Sequence, residues 1–246
     1  MARSKKQSSR ENGRRRRAVA GATLSFPVRV GAVDVGSNAI RMQVAEFDTP
    51  GHFRVLAYDR VPVRLGHDTF LSGRLTQSAS TAAVQALQVF AGRFRDLKVV
   101  HYRAVATSAV RESTNGPDFV ERVRRECGLE LRPISGSEEA RLVHLAVRQR
   151  MELGRRPWVL ADLGGGSVEV SLVDARGVHW SESHTMGSVR LLEEIAGSGE
   201  DPGRFHRLLT EYISTLRIPA ATQHRKPAGF LATGGTIEAA ARLTGS

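Results

Sequence analysis

Gly31-Ala-Val-Asp34-Val-Gly36-Ser37-Asn38 decides the fold of this chain: an apolar run reaches an aspartate and then breaks into glycine, hydroxyl and amide residues. The same order recurs in Leu160-Ala-Asp162-Leu-Gly164-Gly165-Gly166-Ser167. An alignment without gaps places Asp34 on Asp162 and Arg41 on Glu169. The sequence therefore predicts two copies of one hairpin, each with a glycine-containing turn between its strands.

Both turns are candidate phosphate-binding loops. Glycine lets backbone N–H groups approach an anion closely, and a strand that ends in such a turn forms a nest for phosphate. A run of glycines alone is equally typical of a flexible turn, but the aspartate and the duplication favour phosphate. We expect the two loops to meet across a cleft, with Thr233-Gly234-Gly235 as a third contributor and Arg111 as a charge clamp.

Composition narrows the class of protein. The 246 residues, 41% of them hydrophobic, suffice for one large domain or two smaller ones. Cys127 is the only cysteine, which excludes a disulfide framework and fits a cytoplasmic location. A small buried residue is a far more common role for it than a nucleophile. No apolar run approaches the length of a membrane span, and the eight histidines lack zinc-ligand spacing.

Positive charge is concentrated at the start of the chain. The formal charge is +11, and residues 1–17, with eight Lys or Arg against one Glu, hold +7 of it. Residues 1–27 are expected to form a disordered basic tail, because few large apolar side chains offset the entropy of ordering. Two interpretations stay open: a solvated arm without specific function, or a polyanion contact driven by counterion release. An export signal is disfavoured, because the apolar run is short and meets Pro27.

The rest of the chain repeats one order of elements. Residues 28–154 predict a first lobe with three strands, a helix, a strand, a helix, a strand and a helix. Residues 155–246 begin the same order again, and this second lobe is expected to be incomplete at its C-terminus by a strand and a helix. Such a repeat predicts an α/β fold with two similar lobes that face each other across a cleft.

Two acidic residues accompany the second loop. Asp162 and Glu169 place carboxylates beside a predicted phosphate nest, where they repel an anion unless a cation lies between. A hard, oxygen-bound ion such as Mg²⁺ is therefore expected. It would neutralise charge and orient the reacting group during phosphoryl transfer. The competing interpretation of Glu169 is a solvent-facing residue on an alternating strand.

A third acid follows a helix start. Ser135-Gly-Ser-Glu138 has the spacing of a capping box, which assigns Glu138 to the cap. Glu139 is not needed for capping and is free to reach the cleft. A carboxylate poised over a phosphorus-bound water acts as a general base, a role worth about 10²–10⁴-fold in rate.

Five motifs occur in order along the chain: Asp34-x-Gly36-Ser37-Asn38, Ala106-Thr-Ser-Ala-Val-Arg111, Ile134-Ser-Gly-Ser-Glu138-Glu139-Ala140, Asp162-x-Gly-Gly-Gly-Ser167-x-Glu169 and Thr233-Gly-Gly235. Together they closely resemble the exopolyphosphatase / guanosine pentaphosphate phosphatase (Ppx/GppA) family. Each motif is weak alone, but five with matching spacing are highly specific. The match runs from about Val30 to the end of the chain.

The resemblance implies duplicated ribonuclease-H-like lobes of the actin-like ATPase superfamily, with an interdomain cleft. It implies Mg²⁺-dependent release of the terminal phosphate of inorganic polyphosphate, or of the 5′-phosphate of guanosine pentaphosphate. Carried over by motif position, Glu139 looks like the base, Glu169 like a second catalytic carboxylate, and Asp162 and Glu169 like metal ligands. The residues that would bind phosphate are Asp34, Gly36, Ser37, Asn38, Arg111, Gly164, Gly165, Gly166, Ser167, Gly234 and Gly235.

Some features depart from the family pattern. Ala39 stands where the first loop usually has a second hydroxyl, and the chain resembles a short form of the family. A second hypothesis is therefore a regulatory module that binds polyphosphate or a guanosine alarmone without hydrolysis. A third is an actin-like kinase or ATPase, against which Glu138-Glu139-Ala140 argues. A homodimer is left open as the assembly.

Overall fold

The computed structural model describes residues 25–67, 69–196, 202–215 and 226–245. Residues 1–24 of the predicted basic tail lie outside these ranges, and residues 25–27 are exposed. Within the described ranges, no helix combines the length and the apolar character that crossing a membrane requires.

The first sheet has five strands in the spatial order β3-β2-β1-β4-β5. Its strands are β1 Val28–Val35, β2 Ile40–Thr49, β3 His52–Val61, β4 His101–Ala106 and β5 Leu131–Pro133. The three leading strands form an antiparallel meander, and β4 and β5 add in parallel beside β1. The helices in this half of the chain are α1 Thr69–Ser72, α2 Gln77–Asp96, α3 Ser108–Glu112, α4 Gly116–Cys127 and α5 Gly136–Arg148.

The second sheet repeats this arrangement in the order β8-β7-β6-β9. Its strands are β6 Trp158–Leu163, β7 Val168–Asp174, β8 Gly177–His184 and β9 Phe230–Thr233, and its helices are α6 Ser188–Ala196, α7 Pro202–Thr215 and α8 Gly235–Thr244. Strand β9 lies parallel to β6 as β4 lies parallel to β1. Among the described residues no counterpart of β5 pairs with β9.

Strand register confirms the gapless alignment of the two hairpins. Asp34 pairs with Arg41 across β1 and β2, and Asp162 pairs with Glu169 across β6 and β7. The two turns close with equivalent hydrogen bonds. In the first turn the N–H of Gly36 donates to the carbonyl of Ala39 at 3.1 Å. In the second turn the N–H of Gly164 donates to the carbonyl of Ser167 at 3.0 Å. One local sequence pattern therefore produces one local structure twice.

Helix α2 covers the first sheet with an apolar face. It begins at the cap residue Thr76, whose side chain accepts the N–H of Ala79 at 3.3 Å. Phe90 and Phe94 are buried in the core beneath it, and burial of one such side chain contributes about 1.5–3 kcal/mol. A Cβ on Gly31 would lie 2.5 Å from the Phe94 ring. The glycine that opens the first motif therefore lets α2 lie directly on β1.

Helix α5 follows the first sheet in the chain but packs on the second. Val143 and Val147 contact a buried cluster that contains Leu160 and Val173. His144, only 2% exposed, shares a 2.9 Å hydrogen bond between Nε2 and the carbonyl oxygen of Asp174. The boundary predicted at residue 154 assigns α5 to the first lobe, as the order of elements along the chain suggests. By its packing, however, α5 lies with the second sheet.

Candidate active site

The two glycine-containing loops meet where the lobes face each other. A Cβ on Gly165 would lie 3.1 Å from the Cβ of Ser37 in the first loop. A Cβ on Gly166 would overlap the Ser108 hydroxyl and the Phe70 ring. Glycine is required at these positions because the second loop lies against the first lobe without room for a side chain.

Three of the predicted acids converge beside these loops. Glu139 comes from the first turn of α5, Asp162 from the end of β6, and Glu169 from the start of β7. Each offers a carboxylate oxygen, and these oxygens all lie within 4.8 Å of one another. Glu169 is 1% exposed, so its interpretation as a solvent-facing strand residue is wrong.

The acids lie in a site that disfavours their charges. Burial, with added repulsion from Glu169, raises the pKa of Glu139 to about 8, although Arg111 opposes the shift. Burial also raises the pKa of Glu169, against the opposing hydrogen bonds of two serine hydroxyls. Asp34 keeps 41% of its side-chain surface exposed, yet crowding by surrounding atoms raises its pKa as well. Ionising these carboxylates in the folded protein therefore costs more free energy than ionising them in water.

The raised pKa of Glu139 predicts a pH-dependent stability of the metal-free protein. Its folded-state value of about 8 exceeds the ordinary value of 4.5, so the folded form binds more protons than the unfolded form between these pH values. The free energy of unfolding therefore falls as the pH rises through this window. In a chelator at pH 8, we expect Glu139→Gln to melt at a higher temperature than the wild type, with a smaller difference at pH 5. Calorimetry checks this against the surface variant Glu130→Gln, and equal melting temperatures at pH 8 would contradict it.

Hydroxyl groups orient two of the carboxylates. The Thr233 hydroxyl donates to Oδ1 of Asp162 at 2.6 Å, and the Ser183 hydroxyl donates to Oε1 of Glu169 at 2.8 Å. The second oxygen of Glu169, Oε2, is buried and accepts no hydrogen bond of normal geometry among the described residues. This orphaned oxygen, in a cluster of three carboxylates, fits a hard divalent cation with oxygen ligands.

Two arginines of the first lobe supply positive charge beside the acids. Arg111 donates from Nη1 to the carbonyl oxygen of Ile134 at 2.9 Å, and the same nitrogen lies 3.6 Å from Oε2 of Glu139. Arg41 lies 3.3 Å from the carboxylate of Asp34, and its guanidinium faces the third glycine-containing loop, where a Cβ on Gly235 would lie 3.5 Å from Nη2. Two arginines and four acids thus surround one cleft.

Backbone N–H groups in the loops divide into two sets. Those of Gly36 and Gly164 close the hairpin turns. The N–H groups that donate no hydrogen bond to any described residue include those of Ser37, Asn38, Gly165 and Gly166. The latter set has the donors that a phosphate nest requires, and the assignment of the phosphate-binding residues stays a prediction.

Several predicted residues have roles that differ from their simplest interpretation. The Ser37 hydroxyl is 3% exposed and lies 3.0 Å from that of Ser108, so it ties the first loop to the start of α3 within the first lobe. Gly234 has φ 110°, and a Cβ there would overlap the carbonyl of Leu163. Position 234 therefore requires glycine both for its positive φ and for its close approach to Leu163.

The capping box at α5 is only half formed. The Ser135 hydroxyl accepts the N–H of Glu138 at 3.2 Å, as predicted. The Glu138 side chain does not return to the cap; it pairs with Arg103 and with Arg141, each at 2.7 Å. The two arginines therefore replace the reciprocal bond and hold Glu138 apart from the carboxylate of Glu139.

Sequence reasoning missed Ser183 and Arg41 as parts of the site. Ser183 faces Glu169 because the two residues are paired in the β7–β8 register, and no local motif marks it. Arg41 was recognised only as the counterpart of Glu169 in the alignment. The pairing of Asp34 with Arg41 across the predicted hairpin is the signal that could have placed Arg41 beside Asp34.

Comparison with known proteins places this site in a family. The family model for the Ppx/GppA phosphatase family matches residues 44–245. Exopolyphosphatase 1 of Mycobacterium tuberculosis is 32% identical over 223 residues, which are 89% of this chain and 64% of that relative. The chain therefore spans less than two thirds of the length of this relative.

Solved structures of an exopolyphosphatase and of a Ppx/GppA enzyme resemble this chain over most of its length. A crystal structure of an exopolyphosphatase from Cytophaga hutchinsonii superposes with a TM-score of 0.80 at 25% identity, over 87% of this chain and 69% of that one. A Ppx/GppA enzyme from Aquifex aeolicus gives a TM-score of 0.71 at 29% identity, over 88% and 71%. The expected actin-like fold with duplicated lobes is confirmed. The chain belongs to the Ppx/GppA phosphatase family.

Proposed function

We propose that this chain is a phosphoanhydride hydrolase that releases the terminal phosphate of inorganic polyphosphate. The observation that carries the proposal is the convergence of Glu139, Asp162 and Glu169 between two glycine-containing loops. Relatives named exopolyphosphatase support polyphosphate as the substrate class. Guanosine pentaphosphate, which ends in the same kind of bond, is the second substrate to test.

The proposed binding site contains groups that would attract phosphate oxygens and carboxylates that would repel them. The free N–H groups of Asn38 and Gly165 and the guanidinium groups of Arg41 and Arg111 would hold phosphate oxygens. Four carboxylates would repel the same oxygens, so the site requires a cation to admit a polyanion. Asp162 and Glu169 would hold Mg²⁺, which would neutralise charge and orient the terminal phosphate.

Proton transfer is assigned to Glu139. Its Oε2 would accept a proton from a water molecule as the water oxygen attacks the terminal phosphorus. The bridging P–O bond then breaks, which yields orthophosphate and a chain one phosphate shorter. Arg111, 3.6 Å from Glu139 Oε2, would contact the developing negative charge on the phosphate and favour the ionised form of the base. Burial with a raised pKa is typical of a residue that performs general base catalysis.

A phosphate-release assay tests the proposal. The 246-residue chain is incubated with long-chain polyphosphate or with guanosine pentaphosphate, each with Mg²⁺ and with a chelator. We expect release from polyphosphate that depends on Mg²⁺. Release from the nucleotide alone would reassign the substrate. Tight polyphosphate binding without release would favour the regulatory-module hypothesis over hydrolysis.

A further inference from the structure

Arg190 lies outside the acid cluster and contacts the second glycine-containing loop twice. Its backbone N–H donates to the carbonyl of Gly165 at 3.1 Å, and its side-chain Nε donates to the carbonyl of Gly166 at 2.9 Å. It lies in the first turn of α6, whose preceding N–H groups also donate to loop carbonyls. One residue therefore holds two successive peptide groups of the loop.

The other end of the same side chain reaches the first lobe. The Nη2 atom of Arg190 forms a hydrogen-bonded ion pair with Glu112 of α3. The guanidinium carbon lies 4.0 Å from the centre of the Phe70 ring of α1, which is within the range of a cation–π interaction. The side chain is 12% exposed. Because solvent is largely excluded, these contacts stabilise the interface more than a surface ion pair would.

Glu112 connects Arg190 to the acid cluster. Its carboxylate also lies 3.3 Å from Nη2 of Arg111, and Nη1 of Arg111 lies 3.6 Å from Glu139. The four side chains thus form a chain of alternating charge from α6 to the candidate base. Loss of Arg190 would leave Arg111 as the remaining described ion-pair partner of Glu112.

We propose that Arg190 is a positioning residue that holds the second glycine-containing loop against the first lobe and thereby aligns the loop with Glu139. The inference rests on the proposed function for its catalytic consequence, but its structural part does not. Gly166 has no room for a side chain beside Phe70, so the loop depends on this close approach for its position. Only arginine has a planar group that can donate to Gly166 and to Glu112 together while it stacks on a ring.

Two measurements on Arg190→Met test the proposal. Hydrogen exchange of residues 188–190, whose N–H groups bond to the loop carbonyls of Gly164 and Gly165, reports on the loop without any substrate. We expect at least tenfold faster exchange there. In the phosphate-release assay we expect kcat to fall about 10–100-fold, the scale found for partners that orient a site, with KM changed much less. Arg190→Lys should recover part of both losses.

Matched variants separate positioning from general loss of stability. Arg124→Met removes an exposed arginine that pairs with Glu121 within one helix, and it should leave exchange and kcat unchanged. Glu112→Gln should lower kcat, and the double variant with Arg190→Met should be no worse than the more damaged single variant, since coupled residues are not additive.

The results of these experiments distinguish the positioning role of Arg190, its link through Glu112 and the proposed function. Unchanged exchange at residues 188–190 in Arg190→Met would overturn the proposal, whether or not the wild type hydrolyses polyphosphate. Additive losses in the double variant would overturn the link through Glu112. Losses in Arg124→Met equal to those in Arg190→Met would overturn the positioning role. If the wild type releases no phosphate while exchange in Arg190→Met accelerates, the proposed function fails and the positioning of the loop stands.

Discussion

Glu139→Gln should lower kcat for phosphate release by about 10²–10⁴-fold, the range attributed to general base catalysis. Glutamine keeps the size of the side chain and its place in the first turn of α5, but it cannot accept a proton from water. Polyphosphate binding should persist, because the substitution leaves in place the proposed cation ligands Asp162 and Glu169 and the proposed phosphate contact Arg111. Steady-state kinetics and an equilibrium binding assay with the same preparation separate the two effects.

The neighbouring residue provides the control for this variant. Glu138→Gln changes the same chemical group one position earlier, where the carboxylate pairs with Arg103 and Arg141. Ion pairs at this solvent-accessible position are screened by water and contribute little to stability, so activity should stay near normal. Near-normal turnover in Glu139→Gln would remove the assignment of the base. An equal loss in both variants would indicate damage to the start of α5 instead.

Asp162→Asn should raise the Mg²⁺ concentration for half-maximal activity by more than about 100-fold. The substitution removes a charged oxygen from the set that the structure gathers within 4.8 Å, and Mg²⁺ binds carboxylates in preference to amides at phosphoryl-transfer sites. The same change removes one repulsive charge. In a chelator we therefore expect Asp162→Asn to bind polyphosphate more tightly than the wild type, which a filter-binding or fluorescence titration would measure.

Thr233→Val supplies a graded version of this test. Valine keeps the branched shape but loses the hydroxyl that donates to Asp162 at 2.6 Å. Loss of such an orienting partner typically costs about 10–100-fold in metal affinity, so its Mg²⁺ requirement should lie between those of the wild type and Asp162→Asn. Thr210→Val, at an exposed position of α7, is the control. A Mg²⁺ requirement that is the same in all four proteins would exclude Asp162 as a ligand.

Much of the site could be predicted because its parts are local. The hairpin that carries Asp162 and Glu169 follows from a short apolar run, a glycine turn and an alternating strand, and the structure forms it with the two acids paired across β6 and β7. Glu139 was separated from Glu138 by the capping rule alone. These inferences depend on residues close in sequence, whose geometry is set mainly by backbone conformation.

Other parts of the site depend on residues distant in sequence. Ser183 reaches Glu169 through the β7–β8 register, and Arg190 reaches Glu112 across the two lobes. Neither has a motif, because a serine or an arginine on an amphipathic element is common on any protein surface. The packing of α5 on the second sheet likewise depends on which apolar surface is uncovered, and the order of elements along the chain does not reveal it.

The sequence by itself determined the duplicated hairpins, the order of the strands and longer helices, and the acids at the strand ends, since hydrophobic period, turn residues and caps act within a few residues of one another. The short helices α1 and α3 were not part of the predicted order. Only the tertiary structure decided how closely the loops approach, which carboxylates share one site, and which arginine joins the lobes. Those features depend on side chains brought together from distant positions, where burial raises the pKa of Glu139 to about 8 and the absence of a Cβ at Gly166 lets one lobe lie against the other.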